Sequence, residues 1–203
     1  MTRANDEIEL LELGFQDGKF LLKYAEENPD LWLVGIECPS ATGFLETHAP
    51  SNVDVFYDGA LHRLQSIRDH SVSIVRTDFL LNDFSLVVHL DDGTFQEFQL
   101  QQVPWHYRNL LEEGINNQIV QTLTEIRRVL KPHGVLMITE YHANQIQVEH
   151  VLSALGATYQ ITSVPENELS STTWLQKITS PGHPIPSGYT ADDIEPIRFF
   201  ATF

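Results

Sequence analysis

Of four apolar runs in this sequence, the first leads to a pair of glycines and the other three each lead to a carboxylate. Residues 8–13 read Ile-Glu-Leu-Leu-Glu-Leu, and Gly14 and Gly18 come next with three residues between them. Residues 31–37 end on Glu37, residues 53–57 lead into Asp58-Gly59-Ala60, and residues 71–79 carry Asp78 near their end. Glycines let backbone approach a ligand without a Cβ in the way. A carboxylate closing the second run can accept both hydrogen bonds of a sugar diol. Asp58, closing the third beside Ala60, can accept from the exocyclic amine of a base. Glu12 and Asp17 put negative potential at the glycine pair, which favours a cationic ligand and would repel a pyrophosphate. The spacing is G-x-x-x-G, without the G-x-G-x-x-G of dinucleotide sites. A nucleoside with a cationic tail fits this pattern.

These residues act together only if strands bring them to one edge. Residues 8–13, 31–37, 53–57, 71–79 and 135–140 read as short strands, with further strands around 159–164 and 197–203. Between them, Phe20, Leu21, Tyr24 and Ala25 recur at helical spacing until Asn28-Pro29. Leu61, Leu64 and Ile67 predict a short helix. A weakly periodic helix is expected in the forties. Ile115, Ile119, Leu123, Ile126 and Leu130 mark the best amphipathic helix, with a stop expected at Lys131-Pro132-His133-Gly134. Val148, Val151, Leu152 and Leu155 predict another, ended by Gly156. Alternating strands and helices imply an α/β fold with a mostly parallel sheet and right-handed crossovers. No long helix separates the last two strands, so one of them runs antiparallel. Asp91-Asp92-Gly93 between two alternating runs predicts a β-hairpin inserted at about residues 83–105. His106 and Tyr107, on its exit, are placed to line an acceptor pocket. Polar residues 165–171 and Pro/Gly-rich residues 180–188 read as loops.

Composition narrows the function classes. The 203 residues make one domain spanning 1–203, with 42% hydrophobic and 20% charged residues. A formal charge of −16 argues against nucleic acid as a partner. The only basic cluster, Arg127-Arg128-Lys131, falls at a helix end, where cations favour the macrodipole. No apolar run is long enough to span a bilayer, so no membrane is expected. Cys38 is the single cysteine, which fits a reducing, cytoplasmic setting. Nine histidines show no ligand spacing with cysteine or one another, so no metal is expected. No nucleophile elbow supports hydrolysis. A second copy of the chain is left open as a partner.

Together, Glu12-Leu-Gly14-Phe-Gln-Asp-Gly18, Gly35-Ile36-Glu37, Asp58-Gly59-Ala60 and Arg128-Val-Leu-Lys-Pro-His-Gly134-Val-Leu resemble the class I S-adenosylmethionine-dependent methyltransferases. The resemblance covers nearly the whole chain apart from the hairpin. It implies a Rossmann-like sheet with an antiparallel last strand, a transferase activity, and S-adenosyl-L-methionine as cofactor. It also implies cofactor contacts from Glu12, Gly14, Gln16, Gly18, Glu37, Asp58 and Ala60. Asp78 is then the candidate catalytic residue, orienting the acceptor or stabilising positive charge on a nitrogen nucleophile. Within that superfamily the first motif is most similar to the tRNA (guanine-N7) methyltransferases. Residues 172–177, Thr-Thr-Trp-Leu-Gln-Lys, and Gly182-His183 resemble that family's late segments and imply an acceptor contact from Thr172. The pattern departs from that family at Gln16, where it has glycine, at Leu81, where it has aspartate, and at Leu175, where it has glutamate. A catalytically degenerate relative serving as a binding or regulatory module is the alternative reading.

Overall fold

Seven strands form one sheet in the order β3-β2-β1-β4-β7-β9-β8, and β5 and β6 form a separate pair. The computed structural model of the chain describes residues 7–15, 17–39, 49–78, 86–90, 94–98, 108–164 and 195–203. The strands are β1 (Ile8–Leu13), β2 (Leu33–Glu37), β3 (Val53–Tyr57), β4 (Val72–Asp78), β5 (Leu86–His89), β6 (Phe95–Phe98), β7 (Leu130–Tyr141), β8 (Thr158–Ser163) and β9 (Pro196–Thr202). The helices are α1 (Lys19–Glu27), α2 (Ala60–Gln65), α3 (Arg108–Val129) and α4 (Gln145–Ala154). β1, β2, β3, β4 and β7 pair in parallel. β9 runs antiparallel between β7 and β8, so the last strand is the reversed one, as expected. The hairpin is also present, with Leu86 opposite Phe98 and His89 opposite Phe95. The helix expected in the forties, the Asp91-Asp92-Gly93 turn and the loops at 165–171 and 180–188 lie outside the described residues.

Alternation along each strand sends side chains to two cores. On one face Leu11, Leu13, Val34, Ile36, Val75, Leu136, Ile138 and Phe199 meet Leu64 of α2, Ile119, Leu123 and Ile126 of α3, and Val148 and Leu152 of α4. On the other face Leu10, Leu33 and Val53 meet Phe15 and the α1 residues Leu21 and Ala25. The basic cluster has structural partners. Arg128 donates to the carbonyls of Leu64 and Ile67 and pairs with Glu125 and Asp69, tying α2 to α3. Arg127 donates to the Leu155 carbonyl, and Lys131 to Glu7.

The expected helix stop at Lys131–Gly134 needs correcting. α3 ends at Val129, and those four residues lie inside the span of β7. Strand pairing jumps from Val72↔Leu130 to Ile74↔Val135, so they leave the ladder as a bulge. Pro132 has no N–H to give to a ladder, and His133 takes a left-handed φ of 68°. Breaker residues mark an irregularity, and here it is a bulge inside a strand.

Gly35 shows how tightly the α1 face packs. A Cβ there would meet Leu21 Cδ2 at 2.7 Å and Phe15 Cδ1 at 2.8 Å. Gly35→Ala is therefore expected to destabilise the protein by about 1–3 kcal/mol through overpacking, read as a lowered urea midpoint. An unchanged midpoint would show that Phe15 and Leu21 move aside freely.

Candidate functional site

The β1–α1 turn is built by two left-handed glycines. Gly14 has φ 73° and Gly18 φ 69°, a region that L side chains occupy at a cost. The Gly14 N–H donates to the Ile36 carbonyl at 2.8 Å and the Gly18 N–H to the Phe15 carbonyl at 2.7 Å. Gly18 then caps α1, its carbonyl accepting from Leu22 N–H at 2.8 Å. Among the described residues a Cβ at Gly14 would meet nothing within 4 Å, so they leave open space beside the turn. Phe15 points inward, 5% exposed, with its ring edge-on to Tyr57 at 5.8 Å.

The carboxylates reach the same edge on neighbouring strands. Leu13 lies between Ile36 and Thr77 in register, so Glu37 and Asp78 follow it on either side. Asp58 N–H donates to the Glu37 carbonyl at 2.9 Å, which fixes the β3 end against the β2 end. Glu37 Oε1 accepts from the Cys38 N–H at 2.8 Å. Asp58 Oδ1 accepts from the Gly59 N–H at 2.7 Å and Oδ2 meets His62 Nδ1 at 2.9 Å. Asp58 thus holds the start of α2, where Ala60 is the first residue.

Beneath the turn lies a buried ion cluster. Arg76 Nη1 donates to Glu12 Oε1 at 2.5 Å and Nη2 to Asp78 Oδ2 at 2.5 Å. Glu12 and Arg76 are cross-strand neighbours. The Phe20 ring covers the guanidinium, with Cζ 3.7 Å from its centroid. Burial pushes the Glu12 carboxyl from its usual 4.5 up to about 8; Arg76 pulls it down, while Asp78, Glu37 and Asp17 add to the rise. A guanidinium at 2.5 Å ordinarily holds a carboxylate ionised. Here one positive charge is shared between two buried acids and cannot neutralise both.

The turn glycines, Glu12, Glu37, Asp58, Ala60 and Asp78 therefore meet at the carboxyl edge of β1 to β4. Gln16, His106, Tyr107 and Thr172 lie outside the described residues. Asp78 is not a solvated cap: its side chain is 12% exposed and bound to Arg76. Sequence reasoning missed Arg76. Its one signal was an arginine following the apolar Ile74-Val75 inside the strand Val72–Asp78, and only the register brings it against Glu12. Among the described residues no group of three or more His, Cys, Asp or Glu is placed to hold a metal, and no helix is long and apolar enough to cross a membrane.

No protein-family model matches this sequence, and no curated protein matches it. Solved structures do match the fold. The precorrin-6y C5,15-methyltransferase of Geobacter metallireducens is 13% identical, with a TM-score of 0.55 over 99% of this chain and 84% of its own. A SAM-dependent methyltransferase of Aquifex aeolicus is 13% identical, with a TM-score of 0.55 over 97% of this chain and 82% of its own. A Haemonchus contortus phosphoethanolamine N-methyltransferase, solved with S-adenosylhomocysteine, is 14% identical, with a TM-score of 0.55 over 99% of this chain and 49% of its own. The chain has the α/β fold of the class I S-adenosylmethionine-dependent methyltransferases.

Proposed function

We propose that this chain binds S-adenosyl-L-methionine at the Gly14–Gly18 turn and transfers its methyl group to an acceptor. One observation carries the reading: the turn, Glu37 and Asp58 converge at the carboxyl edge of a sheet whose fold is shared with solved methyltransferases. The residues fit the ligand. Among the described residues nothing crowds Gly14, Glu37 is the proposed acceptor for a ribose diol, and Asp58 the proposed acceptor for an adenine amine. The acids around the turn suit a sulfonium and an ammonium.

When bound, the cofactor supplies a methyl group already activated by its sulfonium. The chain then has to hold that group in line with the acceptor and keep water away. The turn glycines give the close approach, Glu37 and Asp58 hold the nucleoside, and the Glu12–Arg76–Asp78 cluster sets the local charge. Asp78 is the proposed catalytic residue, its carboxylate fixed in place by Arg76. His106, Tyr107 and Thr172 are proposed acceptor contacts.

Calorimetric titration should show binding of S-adenosylmethionine or its demethylated product, weakened about tenfold or more by Glu37→Ala. Absence of binding at millimolar ligand by folded protein would sink the reading. The first-motif likeness to tRNA (guanine-N7) methyltransferases supports the cofactor end more than a tRNA acceptor, because a net charge of −16 repels polyanions. A second reading, a binding module without turnover, is favoured by Asp78 having one oxygen committed to Arg76. Transfer of radiolabelled methyl groups to cell-extract RNA, protein or metabolites separates the two. The lone cysteine supports a cytoplasmic setting for either.

A further inference from the structure

In the Glu12–Arg76–Asp78 cluster, Glu12 Oε2, Arg76 Nε and Asp78 Oδ1 are buried without a hydrogen-bond partner among the described residues. Glu12 is 4% exposed and Arg76 2%. The charged groups around Glu12 come from each neighbouring element. β4 contributes Arg76 and Asp78, β2 contributes Glu37, and the turn before α1 contributes Asp17. Lys19 of α1 pairs with Asp17 at 3.1 Å, but its side chain is 65% exposed and its charge is screened by water. The rest of the α1 contribution is the Phe20 ring over the guanidinium. On the far side of Arg76 its β7 neighbour is the uncharged Met137.

Two carboxylates around one guanidinium leave a net negative charge where water does not reach. A buried uncompensated charge is costly, and such groups neutralise or find a counter-ion. Two events can cancel this one: a proton on Glu12, or a cation at the adjoining Gly14–Gly18 turn. Both together would leave the cluster positive, so each opposes the other.

We infer that Glu12 carries a proton in the ligand-free protein and releases it when a sulfonium cation binds at the Gly14–Gly18 turn. The Glu12 O–H bond breaks, the carboxylate keeps the electron pair, and the proton passes to solvent. Glu12 is thereby a specificity-determining residue, favouring a cationic over a neutral ligand of the same shape. This inference rests on the cofactor reading given above.

The test is calorimetric titration of the intact protein with S-adenosylmethionine at pH 7, in buffers of differing ionisation enthalpy. The slope of observed heat against buffer enthalpy should give roughly one proton released per ligand, a consequence of proton linkage. The demethylated product, whose thioether is neutral, should release less than about half as much. Affinity for S-adenosylmethionine should rise by up to about tenfold per pH unit from roughly pH 6 to 8 and then level off, because Glu12 titrates at about 8. Glu12→Gln should abolish the release. Asp78→Asn keeps Glu12 and removes the competing carboxylate; it should lower the release, and it decides the matter if Glu12→Gln does not fold. Binding with the same heat in every buffer and a pH-independent affinity would overturn the inference and leave the cofactor reading standing. Absence of binding would overturn both.

Discussion

Replacing Arg76 by methionine should cost the folded state about 3–5 kcal/mol, the range for breaking a buried ion pair from one side. Arg76 is 2% exposed and gives one Nη donor to Glu12 and the other to Asp78. Methionine keeps most of the volume under Phe20 but removes the charge and both donors. Asp78 is then left as a buried anion, and Glu12 Oε1 joins Oε2 among unpartnered oxygens. Guanidinium unfolding should show the loss as a lowered midpoint at unchanged slope. The triple change Glu12→Leu, Arg76→Met, Asp78→Leu should recover most of that loss, since apolar replacement of a whole buried triad is often neutral or stabilising. A loss below about 1 kcal/mol for Arg76→Met alone would mean that water reaches the cluster and screens it. If the triple variant is stable yet no longer binds S-adenosylmethionine, the triad serves the ligand and not the fold.

That contrast also marks what was readable in the sequence. The strand ends were legible because apolar runs stop where the sheet meets solvent or ligand. Residues 8–13 and the acids at 37, 58 and 78 stand where the sequence pattern put them. The hairpin was legible because turn chemistry is local, and the strands on either side of that signal, β5 and β6, pair antiparallel. Arg76 was not legible, because its role depends on β4 lying beside β1. Nothing local announces that two strands more than sixty residues apart pair with Glu12 against Arg76. The Lys131–Gly134 bulge was misread for the opposite reason. Proline and glycine announce a break, but whether it ends a helix or interrupts a strand depends on the β4 partner.

The strand order also explains why a buried charge is tolerated here. β1 and β4 are the two central strands on which the sheet reverses direction of growth, where ligands bind in α/β sheets. An ion cluster at that point has a function available to it that one elsewhere in the core would lack. Thr139 and Arg198 continue a polar row on the same face, with Arg198 Nε donating to Thr139 Oγ1 at 3.2 Å and Thr139 in register with Asp78. The opposite face is held by Leu11, Leu13, Val75, Leu136 and Phe199, with Thr77 and Glu140 buried toward the ends of β4 and β7.

The stability of the protein should fall as pH rises from about 4.5 to 8, and Glu12→Gln should remove most of that slope. The folded Glu12 carboxyl titrates at about 8 because burial disfavours its charged form, whereas its usual value is 4.5. Between those values the native state holds a proton that the unfolded chain has released. Unfolding then loses protons, so raising the pH favours the unfolded state. The contribution is fully present below 4.5, is lost as pH rises through 8, and changes no further above it. At most it amounts to about 1.4 kcal/mol per pH unit. Paired surface acids act in the opposite sense and at lower pH: Lys131 holds the Glu7 carboxyl below its usual range. The comparison of wild type with Glu12→Gln isolates the buried group from that background. Urea midpoints at pH 6 and pH 8 should differ by about 2 kcal/mol more in the wild type than in the variant. Equal pH slopes in the two proteins would mean that Glu12 is ionised in the fold, with Arg76 holding both acids. The proton exchange inferred for ligand binding would then have no proton to exchange.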